Sequence, residues 1–172
     1  MKLLLTSLII GFLAGSSAEE KKLTKKISGK ITASESYCGG EQPSREMLEQ
    51  VQAPKPMRGF MVYVKKGAEN KLSSPIIDST YSNSDGEYSF NLPKGEYVLL
   101  QKNQLDKSVF EIYKTSTYIH VVIDCMKLWW EKGLTTITVE NKNIKNLNFH
   151  FQKRCYTPGS IPCLTYSGPR IE

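Results

Sequence analysis

The stretch from residue 82 to residue 100 constrains the fold of this chain more than any other part of it. In residues 87–92 apolar and polar side chains alternate, which is the period of a strand with one buried and one solvated face. An Asp-Gly turn precedes this strand, and a Pro93-Lys94-Gly95 turn leads into a second apolar run over residues 97–100. This succession of turns and strands predicts a β-hairpin within an antiparallel meander.

The amino-terminal residues have the order of a secretory signal peptide. Lys2 supplies a positive charge, an apolar core follows over residues 3–13, and small residues at 16–18 suit a cleavage site. This core is well short of the roughly twenty residues that a membrane-spanning helix needs, so no spanning anchor is expected. We expect residues 1–18 to be removed and the mature chain to be exported to the periplasm or the extracellular space.

Basic residues outnumber acidic ones, 23 against 17 in 172 residues, which gives a formal net charge of +6. They are spread over the start, a central turn and the last third of the chain, and no interleaving with aromatic residues marks a groove. An exported protein rarely meets nucleic acid, so we expect a solvated basic surface and no nucleic-acid partner.

The four cysteines are Cys38, Cys125, Cys155 and Cys163. An even number in an exported protein predicts two disulfides, and three pairings are possible. The sequence does not decide among them. The short loop from Cys155 to Cys163, with two prolines and a glycine, favours a local bridge, which leaves Cys38 to pair with Cys125.

Periodicity along the mature chain predicts a mainly β fold, a seven- to eight-stranded antiparallel sandwich with one or two short helices in insertions. The expected strands cover residues 27–33, 60–64, 76–81, 87–92, 97–100, 118–123, 134–139 and 144–151, and a polar hairpin turn at residues 140–143 is expected to join the last two. The expected divisions are a signal peptide (1–18), a charged segment (19–26), a sandwich domain (27–154) with an insertion at about 38–56, and a cysteine-containing loop (155–172).

Two helices are expected in this β-rich chain. Ser44 can cap one that continues to Gln50 or Gln52, with Met47, Leu48 and Val51 on one face. Asp124 can cap another over residues 125–132, closed by Gly133. Residues 101–116 are expected to form a long loop with a helical turn near Phe110.

Four elements occur in an order that points to a known family: a glycine-bearing strand at 28–31, a short apolar run at 62–64, the Asn83-Ser84-Asp85-Gly86 turn, and residues 92–97 with their Pro-x-Gly-x-Tyr pattern. Together, residues 27–101 resemble the carboxypeptidase regulatory-like group of transthyretin-like (prealbumin-like) β-sandwich domains. The later part resembles small exported bacterial proteins that carry this domain. The insertion at 38–56 departs from the compact module.

Metal chemistry finds little support in the residues. An iron site of two histidines and two tyrosines, as in ring-cleaving dioxygenases on a related sandwich, would need both His120 and His150, which are far apart in sequence. Four cysteines and His150 could suggest zinc, but the chain has no Cys-x2-Cys pair. With Gly86 at the sixth position of a calcium loop, Tyr81 and Leu92 would stand at the first and twelfth positions, and neither offers a carboxylate. We therefore predict no metal and no cofactor.

Catalytic motifs are missing as well. The chain has no Gly-x-Ser-x-Gly elbow, and it ends Tyr-Ser-Gly-Pro-Arg-Ile-Glu rather than in the Tyr-Arg-Gly-Ser of transthyretin-like hydrolases. We therefore do not expect an enzyme.

Trp129 and Trp130 are the candidate contacts for a partner. On a helix they point about 100° apart, so one is expected to pack on the core near Cys125 while the other could meet a sugar or a protein. The leading hypothesis is an exported, non-enzymatic module that binds a protein or polysaccharide at the cell envelope. The alternatives are a structural accessory domain without a ligand and, third, a small metal-dependent enzyme.

Overall fold

The computed structural model describes residues 23–169, so the signal-peptide prediction lies outside the described residues. The strands are β1 (Thr24–Glu35), β2 (Lys55–Pro56), β3 (Met61–Lys66), β4 (Ile76–Tyr81), β5 (Glu87–Pro93), β6 (Gly95–Gln101), β7 (Ile119–Val121), β8 (Thr135–Val139), β9 (Phe149–Lys153) and β10 (Leu164–Tyr166). The helices are α1 (Arg45–Gln52), α2 (Val109–Ile112) and α3 (Ile123–Lys132), and a 3-10 turn covers Lys102–Gln104. The mainly β fold is confirmed, and β1 begins three residues before the expected position.

Two four-stranded sheets form the sandwich. In the first, β1 pairs with β5 along its first half and with β2 and β9 along its second half. In the second the order is β4-β3-β6-β8, so the apolar strand β3 lies inside its sheet. Eleven buried residues form the core between the sheets: Ile27, Ile31, Val62, Val64, Tyr88, Phe90, Leu92, Tyr97, Leu99, Ile137 and Val139.

The expected hairpin at 87–100 is wrong, although both of its strands exist. β5 pairs with β1 in the first sheet, whereas β6 pairs with β3 and β8 in the second, so the turn at 93–95 crosses from one sheet to the other. Alternation shows which face of a strand is buried but does not identify its neighbour. In β6 the alternate residues Val98 and Leu100 are buried as fully as Leu99, as suits an inner strand covered on both faces.

The expected hairpin at 134–151 is also wrong. β8 belongs to the second sheet, while β9 runs parallel to β1, so the first sheet is not purely antiparallel. Residues 143–148 follow the edge of β1 without forming a regular strand, and Asn146 has a left-handed backbone, with φ of 58°.

Tyr88 fastens this irregular segment to the core. Its hydroxyl donates a hydrogen bond of 2.6 Å to the carbonyl oxygen of Leu147, and burial raises the pKa of the phenol. A Cβ at Gly29 would overlap that carbonyl group, so glycine is required in β1 at this point. Leu147, Phe149 and Phe151, which alternate along this segment, all pack against the core.

A second group of elements lies outside the sandwich. We call residues 105–132 and 161–166 the side module; it contains α2, β7, α3 and β10. Its buried residues are Val109, Met126, Trp130, Ile161, Cys163 and Leu164. β7 pairs only with β10, in a separate two-stranded sheet, so the strand expected at 118–123 is shorter and is not part of the sandwich.

The helix predictions are confirmed except for one cap. The Ser44 hydroxyl accepts a hydrogen bond from the Met47 amide at 3.1 Å, and α1 ends at Gln52, although none of its residues is buried. The helical turn near Phe110 exists as α2. α3 begins after Val122, so Asp124 lies in its first turn and is not the cap; Gly133 closes the helix as predicted.

Both disulfides exist, but the favoured pairing is wrong: Cys38 bonds Cys155, and Cys125 bonds Cys163. The parallel pairing of β1 and β9 explains the first bond, because parallel strands end at the same edge and each cysteine follows one of them. The pairing of β7 with β10 explains the second, since Cys125 lies just after β7 and Cys163 just before β10. Loop length alone does not predict such neighbours.

A buried polar network joins the side module to the second sheet. Lys65 on β3 donates from its Nζ to the Asn70 Oδ1 at 3.1 Å, and burial lowers the pKa of this ammonium group. The Asn70 amide donates to the carbonyl oxygens of Gln104 and Trp130, at 2.6 and 3.1 Å. Within residues 23–169, every buried side-chain nitrogen and oxygen has a hydrogen-bond partner.

Candidate functional site

An open cleft of about 510 Å³ lies where the ends of β1 and β9 meet β10. We call it the tyrosine cleft; its walls include Tyr37, the Cys38–Cys155 disulfide, Arg154, Tyr156, Thr165 and Tyr166. One wall therefore comes from the sandwich and the start of its insertion, and the other from the side module. The cleft depends on the docking of the two.

The disulfide brings two tyrosines together, because Tyr37 precedes Cys38 and Tyr156 follows Cys155. Tyr156 has a left-handed backbone, with φ of 60°, a conformation that costs a bulky residue about 1–3 kcal/mol. Its hydroxyl donates a hydrogen bond to the Cys38 carbonyl at 3.0 Å. The adjacent Cys38–Cys155 disulfide and this hydrogen bond hold the Tyr156 ring in the cleft wall despite the strained backbone.

A row of aromatic rings continues from Tyr156 into the side module. The centroids of Tyr156 and Tyr166 are 4.8 Å apart, and Tyr118 lies 6.1 Å from Tyr166. The Tyr166 hydroxyl donates to the Pro169 carbonyl at 3.0 Å. A Cβ at Gly168 would overlap the hydroxyl of Tyr166, so the absence of a side chain there lets the ring lie against the backbone.

Arg154 lies between this cleft and a second one. Its Nη2 donates to the carbonyl oxygens of Ile161, at 3.3 Å, and Pro162. No carboxylate within residues 23–169 forms an ion pair with it, whereas the neighbouring Lys153 is paired with Glu35 at 3.0 Å.

The second cleft, of about 470 Å³, contains one of the two predicted tryptophans. We call it the tryptophan cleft; its walls include Trp129, Phe149, His150, Phe151, Arg154 and Pro162. Trp129 is half-buried here. Trp130 is only 4% exposed, and its indole Nε1 donates to the Asp106 carbonyl at 2.7 Å. One tryptophan thus packs inside the side module and the other borders a cleft, while a role in partner binding stays a prediction for both.

The histidines have separate surroundings. His120 lies 2.6 Å from the Ser167 hydroxyl, and His150 contacts the hydroxyls of Thr32 and Ser34 at 3.0 and 3.1 Å. In the part of the chain that the structure describes, no group of three or more His, Cys, Asp or Glu residues could hold a metal ion. All four cysteines are in disulfides, so none offers zinc a thiolate.

Sequence reasoning missed the tyrosines and Arg154. The available signal was the adjacency of tyrosine and cysteine at 37–38 and at 155–156. It becomes informative only with the observed pairing, because the pairing favoured from the sequence separates these two tyrosines. Arg154 was counted as solvated surface, since its place between two clefts depends on the fold of the final loop.

Comparison with protein-family models gives no match, and comparison with curated proteins gives none either. Among solved structures, a mutant of the shaft pilin SpaA from Lactobacillus rhamnosus GG aligns with a TM-score of 0.41 at 11% identity, over 78% of this chain and 52% of the pilin. The N-terminal domain of the same pilin aligns with a TM-score of 0.36 at 12% identity, over 74% and 92% of the two chains.

An (S)-allantoin synthase aligns with a TM-score of 0.29 at 8% identity, over 84% of this chain and 45% of the synthase. This chain spans about half the length of the intact pilin. With TM-scores below 0.5, neither likeness carries an argument about activity. No helix between residues 23 and 169 has the length and apolar character to cross a membrane.

Proposed function

We propose that this protein is an exported, non-enzymatic β-sandwich module that binds a polysaccharide at the cell envelope through the tyrosine cleft. The observation that carries the proposal is the row of tyrosine rings beside an open cleft on a disulfide-bonded frame. The C–H face of a sugar ring is apolar and packs on aromatic rings, while its hydroxyls need hydrogen-bond partners. In the tyrosine cleft the aromatic rings supply the apolar contact, and polar lining side chains such as Thr165 can supply the hydrogen bonds.

The dimensions of the cleft favour a short stretch of polysaccharide over a folded protein. Its volume of about 510 Å³ is in the range of small-ligand pockets, whereas a stable protein interface buries about 800 Å² on each partner. Tyrosine gives a large contact area for few rotatable bonds, so fixing the rings costs little entropy on binding. A protein partner is the alternative that the binding test decides.

Export and family are part of the same proposal. Two disulfides suit a protein that folds in an oxidising compartment. The Asp85-Gly86 turn and the 92–97 element support membership of the carboxypeptidase regulatory-like group, and the module would then be periplasmic or extracellular. Trp129, at the tryptophan cleft, is a candidate for a further contact with the ligand.

The test is titration calorimetry of the oxidised mature chain, residues 19–172, with soluble polysaccharide from the host's own envelope. Tyr166→Ala removes the central ring of the row and should weaken binding about tenfold or more. Tyr81→Ala is the matched control, because this tyrosine is 63% exposed on β4 and does not line the cleft. Binding that survives Tyr166→Ala would exclude this cleft, and no binding to any fraction would favour a structural module without a ligand.

A further inference from the structure

The charge distribution around the two clefts identifies a class of polysaccharide. No Asp or Glu residue within residues 23–169 lines either the tyrosine cleft or the tryptophan cleft. Arg154 lines both of them and is the permanently charged side chain they share. A ligand that lies across both clefts would therefore meet one fixed positive charge, flanked by aromatic rings on each side.

The guanidinium group is held in place and still has donors to offer. Its Nη2 is occupied by the carbonyl oxygens of Ile161 and Pro162, and these bonds fix the plane of the group. Within the described residues its Nε and Nη1 make no hydrogen bond, so three N–H groups remain as donors for a ligand. A planar fork of donors matches a carboxylate better than it matches a hydroxyl, and a pre-positioned group loses little entropy on binding.

We propose that Arg154 makes the site selective for acidic polysaccharides whose sugars carry carboxylates, of the uronic-acid class. The aromatic rings on each side would contact the sugar faces while Arg154 binds the carboxylate between them. This inference rests on the proposed function, because it assigns the ligand of the same site. The excess of basic over acidic residues favours the approach of such a polymer but does not by itself select a carboxylate.

The experiment compares three probes of matched length by titration calorimetry: an oligogalacturonate, a neutral galacto-oligosaccharide and a sulfated galacto-oligosaccharide. For the native protein we expect the oligogalacturonate to bind about tenfold tighter than the neutral probe and tighter than the sulfated one. Arg154→Gln should abolish this advantage, so that the acidic and neutral probes bind with equal affinity. Arg154→Lys keeps the positive charge but loses the planar pair of donors, so it should retain only part of the preference for the oligogalacturonate.

Lys145→Gln is the matched control, because it removes one positive charge from an exposed residue outside both clefts. Equal losses in Lys145→Gln and Arg154→Gln would show non-specific attraction and overturn the inference. Equal affinity of the native protein for the acidic and neutral probes, or tighter binding of the sulfated one, would also overturn it while leaving polysaccharide binding intact. Failure of all three probes to bind would overturn this inference, whereas the proposed function falls only if the envelope polysaccharide itself does not bind.

Discussion

In the sandwich, eleven buried residues lie between two hydrogen-bonded sheets, whereas in the side module six pack around a single disulfide. The sandwich strands stabilise one another through backbone pairing over most of their length. β7 and β10 pair over three residues only. Because so small a cluster buries little apolar surface, we infer that the side module depends on its covalent bond and on docking against the second sheet.

The largest difference between the sandwich and the side module is expected when one or the other disulfide is removed. In the chain-entropy model, the Cys38–Cys155 bond, with a separation of 117 residues, contributes about 5 kcal/mol to the free energy of unfolding, and the Cys125–Cys163 bond, with 38, about 4. Replacing the first pair by serine should lower the stability of the whole chain. Replacing the second should mainly loosen the side module.

Denaturant unfolding followed by far-ultraviolet circular dichroism, with near-ultraviolet circular dichroism for the tryptophans, separates the two effects. A Cys125→Ser/Cys163→Ser protein that loses sandwich and tryptophan signals in one transition would contradict independent opening of the side module.

Two leucines allow the same substitution in each region. Leu99 in β6 and Leu164 in β10 are both fully buried, and a buried Leu→Ala change costs about 2–5 kcal/mol. Leu99→Ala should lower the protection of all core amides against hydrogen exchange. Leu164→Ala should lower it in β7 and β10 while β3 keeps its protection, as measured by exchange and mass spectrometry. A uniform loss in both variants would erase the distinction between the regions.

The docking network predicts a smaller effect. Asn70→Ala removes an acceptor of Lys65 and the donor to the Gln104 and Trp130 carbonyls, so it leaves buried groups without partners. We expect a loss of about 1–3 kcal/mol in the unfolding free energy. Asn83→Ala removes an amide from the exposed turn before β5 and serves as the comparison in the sandwich. The docking account would need revision if Asn70→Ala were the milder change.

The smallest effect on stability is expected at Tyr156, where the two regions meet. Tyr156→Asn relieves the left-handed backbone but loses the ring contact with Tyr166 and the bond to the Cys38 carbonyl. These terms oppose each other, so thermal unfolding should change by less than about 1 kcal/mol. Polysaccharide binding should nevertheless fall. A stable variant with native affinity would remove this ring from the proposed site.

The sandwich was largely predictable, because alternation in residues 87–92 and the Asp85-Gly86 turn are local signals of a strand and its boundary. Strand partners were not predictable, since the same turn at 93–95 can return within a sheet or cross to the facing one. Both expected hairpins, at 87–100 and at 134–151, are wrong because a turn signal does not tell whether the next strand stays in the same sheet. The favoured cysteine pairing is wrong for the same reason, because the two disulfides follow from which strands are neighbours.

The side module and the site gave much weaker signals. The sequence located α3 and both tryptophans, but the apolar residues of the side module come from two separate segments that no periodicity connects. The tyrosine cleft combines Tyr37, two residues after the end of β1, with Tyr166 on β10. These residues are so distant in sequence that the site can be recognised only once the disulfides and the parallel β1–β9 pairing are known.

Native-state hydrogen exchange of the oxidised protein, at increasing denaturant below the unfolding midpoint, tests most directly whether the tyrosine cleft joins two regions of unequal stability. The account predicts that amides of β7 and β10 exchange through an opening of lower free energy than amides of β3 and β6. It also predicts that a saturating polysaccharide ligand raises the protection of β10. The same opening free energy for all four strands would contradict the account, because the chain would then unfold as a single unit.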